Sequence, residues 1–150
     1  MDWKFFEEGD LDWILSVTKD MFEESEWNDG EYDKDKVSRY FYHVINNPLY
    51  MFGIIGLRGE DKIGFLTGEI HQFSFMQDIF ARQSALYVVP SERGKMGALF
   101  MMRKFMDWAK NNKAREIYFE PSTHNMDKNK FDSFAKRLGM VKEAKYRSIL

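Results

Sequence analysis

The chain has 150 residues, of which 31% are charged, 44% hydrophobic and 17% aromatic, and it contains no Cys. That apolar mass excludes a disordered chain and is enough for the core of one domain over residues 1–150. The missing thiols exclude a disulfide scaffold, Cys-ligated zinc and a thiol nucleophile. No apolar run approaches the roughly 20 residues that span a bilayer. The acidic start MDWKFFEEGD has no secretory or transit pattern, so a cytoplasmic protein with no membrane partner is expected.

The formal net charge of −2 hides an asymmetry. Residues 1–35 hold 13 acids against three Lys, a balance of −10; residues 36–150 hold 11 acids against 19 bases, a balance of +8. The start of the chain repels anions and the remainder attracts them.

In chain order, residues 2–8 read as a short aromatic strand. Asp10 is placed to cap a helix running to about Glu24, with Leu11, Ile14, Leu15, Thr18 and Phe22 near helical spacing. Asp33 or Asp35 caps a second helix carrying Val37, Tyr40, Phe41, Val44 and Ile45, which must stop before Pro48. Residues 50–57 are continuously apolar, as in a strand buried on both faces. A turn at 58–61 leads into a long strand, 62–75, where Phe65, Thr67, Glu69, His71, Phe73 and Phe75 share one face. A short strand, 84–89, ends at Pro90; a helix spans about Gly94 to Asn111; residues 116–120 form a strand closed by Pro121. The last helix carries Phe131, Phe134 and Leu138, with Gly139 just past its end, and the tail 141–150 reads as one or two short strands. Hairpin strands followed by strand–helix–strand units predict an α/β domain, a mixed and mostly antiparallel sheet with helices on both faces.

Residues 86–98, LYVVPSERGKMGA, join a buried strand to a helix. The first N–H groups of a helix have no partner inside it, and its dipole favours negative charge there. Arg93 and Lys95 add positive charge at the same place, so the loop is a candidate anion site. Glu69 and His71 project together from one strand face, and an imidazole is the side chain suited to taking a proton near neutrality. Glu120 ends the fifth strand, and His124 and Asn125 follow in a loop, whereas Ser84 and Tyr87 are what the strand before Pro90 offers. No metal-ligand spacing appears, and the basic residues lack the aromatic–basic platform of a nucleic-acid binder.

The run Val88-x-Pro90-x-x-Arg93-Gly94-Lys95-x-x-Ala98 resembles the acetyl-CoA-binding motif of the GCN5-related N-acetyltransferases (GNAT). Phe134-Ala135-Lys136-Arg137-Leu138-Gly139-Met140 resembles that family's second signature, a helix ending in Leu-Gly-Phe, and the element order matches over nearly the whole chain. The resemblance implies acetyl-CoA as cosubstrate. Its pyrophosphate would lie on the backbone of Arg93, Gly94, Lys95, Met96, Gly97 and Ala98, and its arm would pair with Tyr87, Val88 and Val89. The thioester would lie where strand 84–89 splays from 116–120, with Glu69, His71 and Glu120 as candidate acid–base groups. Two positions depart from the pattern: Met96 stands where the motif has a central Gly, and Ala135 where many members carry a Tyr that protonates the thiolate. The basic run Lys128, Lys130, Lys136 and Arg137 is a solvated face or a partner for the 3′-phosphate.

The first two helices and their connection form much of the acceptor side in the resembled family. Here they are acidic, and Glu26, Trp27, Asp29, Glu31 and Tyr32 would favour a cationic amine: a polyamine, an aminoglycoside-like compound, or a protein lysine or N-terminus. The expected function is direct acetyl transfer to such an amine by a monomer or homodimer. The alternative is a catalytically weak CoA-binding or protein-interaction module on the same fold.

Overall fold

The computed structural model describes residues 1–120, 127–144 and 146–149. Its elements in chain order are β1 Asp2–Phe5, α1 Leu11–Glu23, α2 Lys34–Asn46, β2 Met51–Arg58, β3 Asp61–Gln72, β4 Ile79–Val88, α3 Gly97–Asn111, β5 Glu116–Tyr118 and α4 Lys128–Arg137, with short 3-10 turns at Glu8–Asp10 and Pro90–Glu92. The five strands lie in the order β1-β2-β3-β4-β5. Neighbours are antiparallel except β4 and β5, which run parallel because α3 carries the chain back across the sheet. This is the expected mixed, mostly antiparallel α/β architecture.

Period-two alternation sends opposite sets of side chains to the two faces. Phe41, Val44, Met51, Ile55, Phe65 and Tyr87 pack with Phe6, Ile14 and Val17 under α1 and α2. Phe52, Ile54, Leu66 and Ala81 pack with Met101, Met102, Phe105 and Ala109 of α3, joined by Phe134 of α4 and by Leu138 just past its end. Met101 and Met102 are therefore core, whereas Met106 is only half-buried. Gly97 opens α3 against β3 so closely that a Cβ there would stand 3.1 Å from Ile63 Cδ1.

Several sequence expectations shift. Asp33 caps α2 through its carboxylate, which accepts from the Lys36 N–H at 2.9 Å, but Asp10 makes no cap bond to α1. Asp10 is instead buried between Lys4 (2.9 Å) and Lys62 (2.8 Å) and accepts from the Glu7 N–H at 3.1 Å. The third strand ends at Gln72, so Phe73 and Phe75 belong to the turn that leads into β4. β4 begins at Ile79, five residues before the apolar run, because its first half leaves Arg82 exposed on an open face. The fifth strand stops at Tyr118, and α3 starts at Gly97 because Arg93 is extended and Gly94 left-handed. The described tail residues, 141–144 and 146–149, form no strand; Val141, Tyr146 and Ile149 are exposed, and ion pairs from Lys142 to Asp132 and from Arg147 to Glu26 hold the segment. Gly139 follows α4 in the left-handed region, its N–H bonded to Lys136 O at 3.0 Å, as a helix-ending glycine should be. No helix among the described residues is long and apolar enough to cross a membrane.

Candidate functional site

The site is built around β4. Thr67 pairs with Ala85 but Gly68 pairs with Gln83, so Ser84 is an extra residue in β4, a β-bulge. On its other side β4 pairs with β5 only through Phe80–Glu116, Ala81–Ile117 and Arg82–Tyr118. From the bulge onward, the edge of β4 that faced β5 is no longer laddered to it. Bulge and parting together open the sheet at Ser84, where the family resemblance expects strands 84–89 and 116–120 to splay.

At the far end of this open edge lies the loop. Gly94 has φ +79° with nothing within 4 Å of an added Cβ, so backbone conformation rather than space requires glycine there. The turn delivers the chain to α3, whose first N–H groups face the same end of the sheet. Met96 is 46% exposed, and its sulfur lies 3.6 Å from Arg137 Nη2, so its side chain reaches toward α4. The loop's cations already have partners. Lys95 pairs with Glu92 at 2.7 Å, and Glu92 also binds Arg58 at 3.0 Å; the Lys95 hydrogen bond, with help from Arg58, holds the Glu92 carboxyl below its usual range. Arg93 donates to Val88 O (2.9 Å) and Glu24 (2.7 Å) and lies 5.3 Å over the Tyr87 ring.

Polar side chains gather on the α1–α2 face beside the bulge. Glu69 and His71 do project together, with Oε1 and Nε2 3.0 Å apart, each about one-third exposed, and His71 stacks on Phe80. Arg82 lies opposite Glu69 in the ladder. Closer to the bulge, the Tyr40 hydroxyl donates to Thr67 Oγ1 at 3.0 Å, and buried Ser84 Oγ lies near the same phenol without a formed hydrogen bond. Burial pushes the Tyr40 phenol up, and the nearby Glu69 charge adds to it, against the lowering by its hydroxyl neighbours. Tyr40 therefore stays a neutral donor. Its place in the apolar row of α2 made it read as core; the cue was a phenol on a helix that covers the strand bearing Thr67 and Glu69.

Other expected residues lie apart. Glu120 is exposed, two residues past β5, and His124 and Asn125 fall outside the described residues. Tyr32 folds back onto α1, its hydroxyl 2.9 Å from Thr18 Oγ1 and its ring packed on Phe22. Trp27 is half exposed, Asp29 and Glu31 are exposed, and Glu26 is paired with Arg147. Tyr87 is more than backbone: its ring is buried, and its hydroxyl donates to Glu24 at 3.4 Å. Among the described residues, no group of three or more His, Asp or Glu is placed to hold a metal ion.

No family model matches the sequence, and no curated protein matches it. Solved structures do match. Aminoglycoside 6′-N-acetyltransferase AAC(6′)-IG from Acinetobacter haemolyticus superposes with a TM-score of 0.74 at 16% identity, over 100% of this chain and 97% of that one. A predicted acetyltransferase with acetyl-CoA from Clostridium acetobutylicum gives 0.77 at 15%, over 99% and 95%. AAC(6′)-Iy in complex with the bisubstrate analogue CoA-S-monomethyl-acetylneamine gives 0.75 at 16%, over 99% and 98%. The chain has the GNAT fold. The likeness is one of architecture and extends over essentially the whole length of this chain.

Proposed function

We propose that the protein is an acetyl-CoA-dependent N-acetyltransferase that passes the acetyl group directly to a primary, cationic amine. One observation carries this reading: β4 bulges at Ser84, parts from β5 after Arg82, and runs into the Gly94 turn at the head of α3. That arrangement offers an open strand edge for an extended amide-bearing arm and helix N–H groups for its phosphates. The fold is shared with a protein solved with acetyl-CoA and another solved with a CoA bisubstrate analogue.

Bound acetyl-CoA supplies an activated thioester, and the chain's own groups do the rest. The backbone of Tyr87, Val88 and Val89 lines the arm; Arg93, Lys95 and the N–H groups of Gly97 and Ala98 meet the pyrophosphate. The Met96 side chain, directed at Arg137, leaves room for this despite the missing central Gly. The Tyr40 hydroxyl donates to Thr67 Oγ1, which leaves the Thr67 and Ser84 hydroxyls as neutral donors where charge develops on the thioester carbonyl. His71, whose Nε2 is buried 3.0 Å from Glu69 without a formed hydrogen bond, receives the proton lost by the attacking nitrogen on its other ring nitrogen, directly or through water, with Glu120 as the alternative base. Ala135 provides no acid, and a thiol with a pKa of about 8.5 leaves as a thiolate that water can protonate. Glu26, Trp27, Asp29 and Glu31 draw in the cationic amine, while Tyr32 shapes their loop.

Calorimetric titration with acetyl-CoA tests the cosubstrate half. Wild-type protein binds, and Arg93→Ala weakens binding about tenfold with its melting temperature little changed. No binding by the wild type, or unchanged affinity in the variant, contradicts the assignment of this loop.

A further inference from the structure

Arg93 joins the two oppositely charged parts of the chain. Its Nη2 lies 2.7 Å from Oε2 of Glu24, the residue just past the end of α1 that opens the acidic connection. Its Nε donates to Val88 O at 2.9 Å, on the edge of β4 proposed to receive the cosubstrate arm. Tyr87 lies under the guanidinium and donates its hydroxyl to the other Glu24 oxygen at 3.4 Å. The sequence separation of Glu24 and Arg93 is 69 residues, so this is a tertiary contact between the acceptor-side loop and the phosphate-side loop.

One guanidinium is thus claimed by two anions. A pyrophosphate on the Gly94 turn draws on the same charge that holds Glu24, and Val88 O must give up its Arg93 donor if the arm is to pair there. The ion pair is 44% and 42% exposed at its two side chains, a weak restraint that a more highly charged pyrophosphate can displace.

We propose that Glu24 couples the two substrates: it competes with acetyl-CoA for Arg93, and once Arg93 turns to the pyrophosphate, the Glu24 carboxylate receives the cationic amine. Acetyl-CoA binding thereby releases the Glu24 carboxylate from Arg93 for the amine. By linkage, each substrate raises the other's affinity by the same factor. The proposal rests on the acetyltransferase reading and deepens it by naming a specificity residue and the contact that couples the two substrates.

The test compares wild type, Glu24→Gln and Glu23→Gln, the last removing a neighbouring charge that pairs with Lys19 instead. Acetyl-CoA affinity is measured by calorimetry, and spermidine is titrated as the amine probe with and without saturating CoA. Glu24→Gln tightens acetyl-CoA binding three- to tenfold and Glu23→Gln changes it less than twofold. CoA strengthens spermidine binding about tenfold in the wild type and not in Glu24→Gln. A merely structural Glu24 would not shift the two affinities in opposite directions. If Glu24→Gln leaves acetyl-CoA binding unchanged or weaker, or if spermidine does not bind or binds regardless of CoA, the coupling is refuted while the transferase reading stands. If the wild type does not bind acetyl-CoA, both fall.

Discussion

Asp10 shows how one carboxylate organises the base of the fold. Burial alone pushes its carboxyl up, but hydrogen bonds from Lys62, Lys4 and the Glu7 N–H outweigh that and bring it below the ordinary 3.8. A group with a depressed folded pKa contributes stability that is complete above its unfolded value. That contribution drains as pH falls through the lower, folded value. Asp10→Asn removes the charge and leaves two lysines facing each other, which costs about 2–4 kcal/mol near neutrality. Urea midpoints should show the wild-type advantage shrinking as pH falls below the ordinary carboxylate value of 3.8. A gap that is constant or widens toward acid contradicts the ion-pair account.

At the scale of elements, the turn before α3 makes the sharpest demand on sequence. Gly94 at φ +79° has open space around it, so Gly94→Ala tests conformation alone. The expected cost is about 1–2 kcal/mol of stability, together with several-fold weaker acetyl-CoA binding as the loop relaxes out of the left-handed region. An Ala variant with unchanged stability and affinity would show that the turn does not set the site. This loop was legible in the sequence because Gly, Arg and Pro encode backbone shape locally. The helices and the two-sided burial of β2 were legible for the same reason: their periodicity is local. The first half of β4 was not, since Arg82 and Gln83 interrupt its apolar run. Buried Gln83 faces the α3 side opposite Gly68, where its polar amide gives no strand signal. The Ser84 bulge is a property of the β3–β4 register, and Tyr40 meets Thr67 only once α2 has packed. The tail misled because its scattered apolar residues resemble strand alternation, while its charges are those that tie it to Asp132 and Glu26.

For the molecule as a whole, the near-neutral charge is two opposed fields held together by specific pairs. Glu24–Arg93 and Glu26–Arg147 connect the acidic connection to the basic remainder. The layout suits the proposed polyanionic cosubstrate at the Gly94 turn and the proposed cationic acceptor at the acidic connection, while the fold supplies the architecture shared with solved acetyltransferases. A chain with no Cys has no thiol to carry an acyl group, which excludes an acyl-Cys intermediate and agrees with the proposed direct transfer. The account is tested most directly by amine-dependent release of CoA thiol, followed over a panel of polyamines, aminoglycosides and lysine peptides, with product mass read in parallel. It predicts thiol release that requires a cationic amine, stoichiometric with an amine product gaining one acetyl group. Tight acetyl-CoA binding with no amine-dependent thiol release across the panel would contradict it.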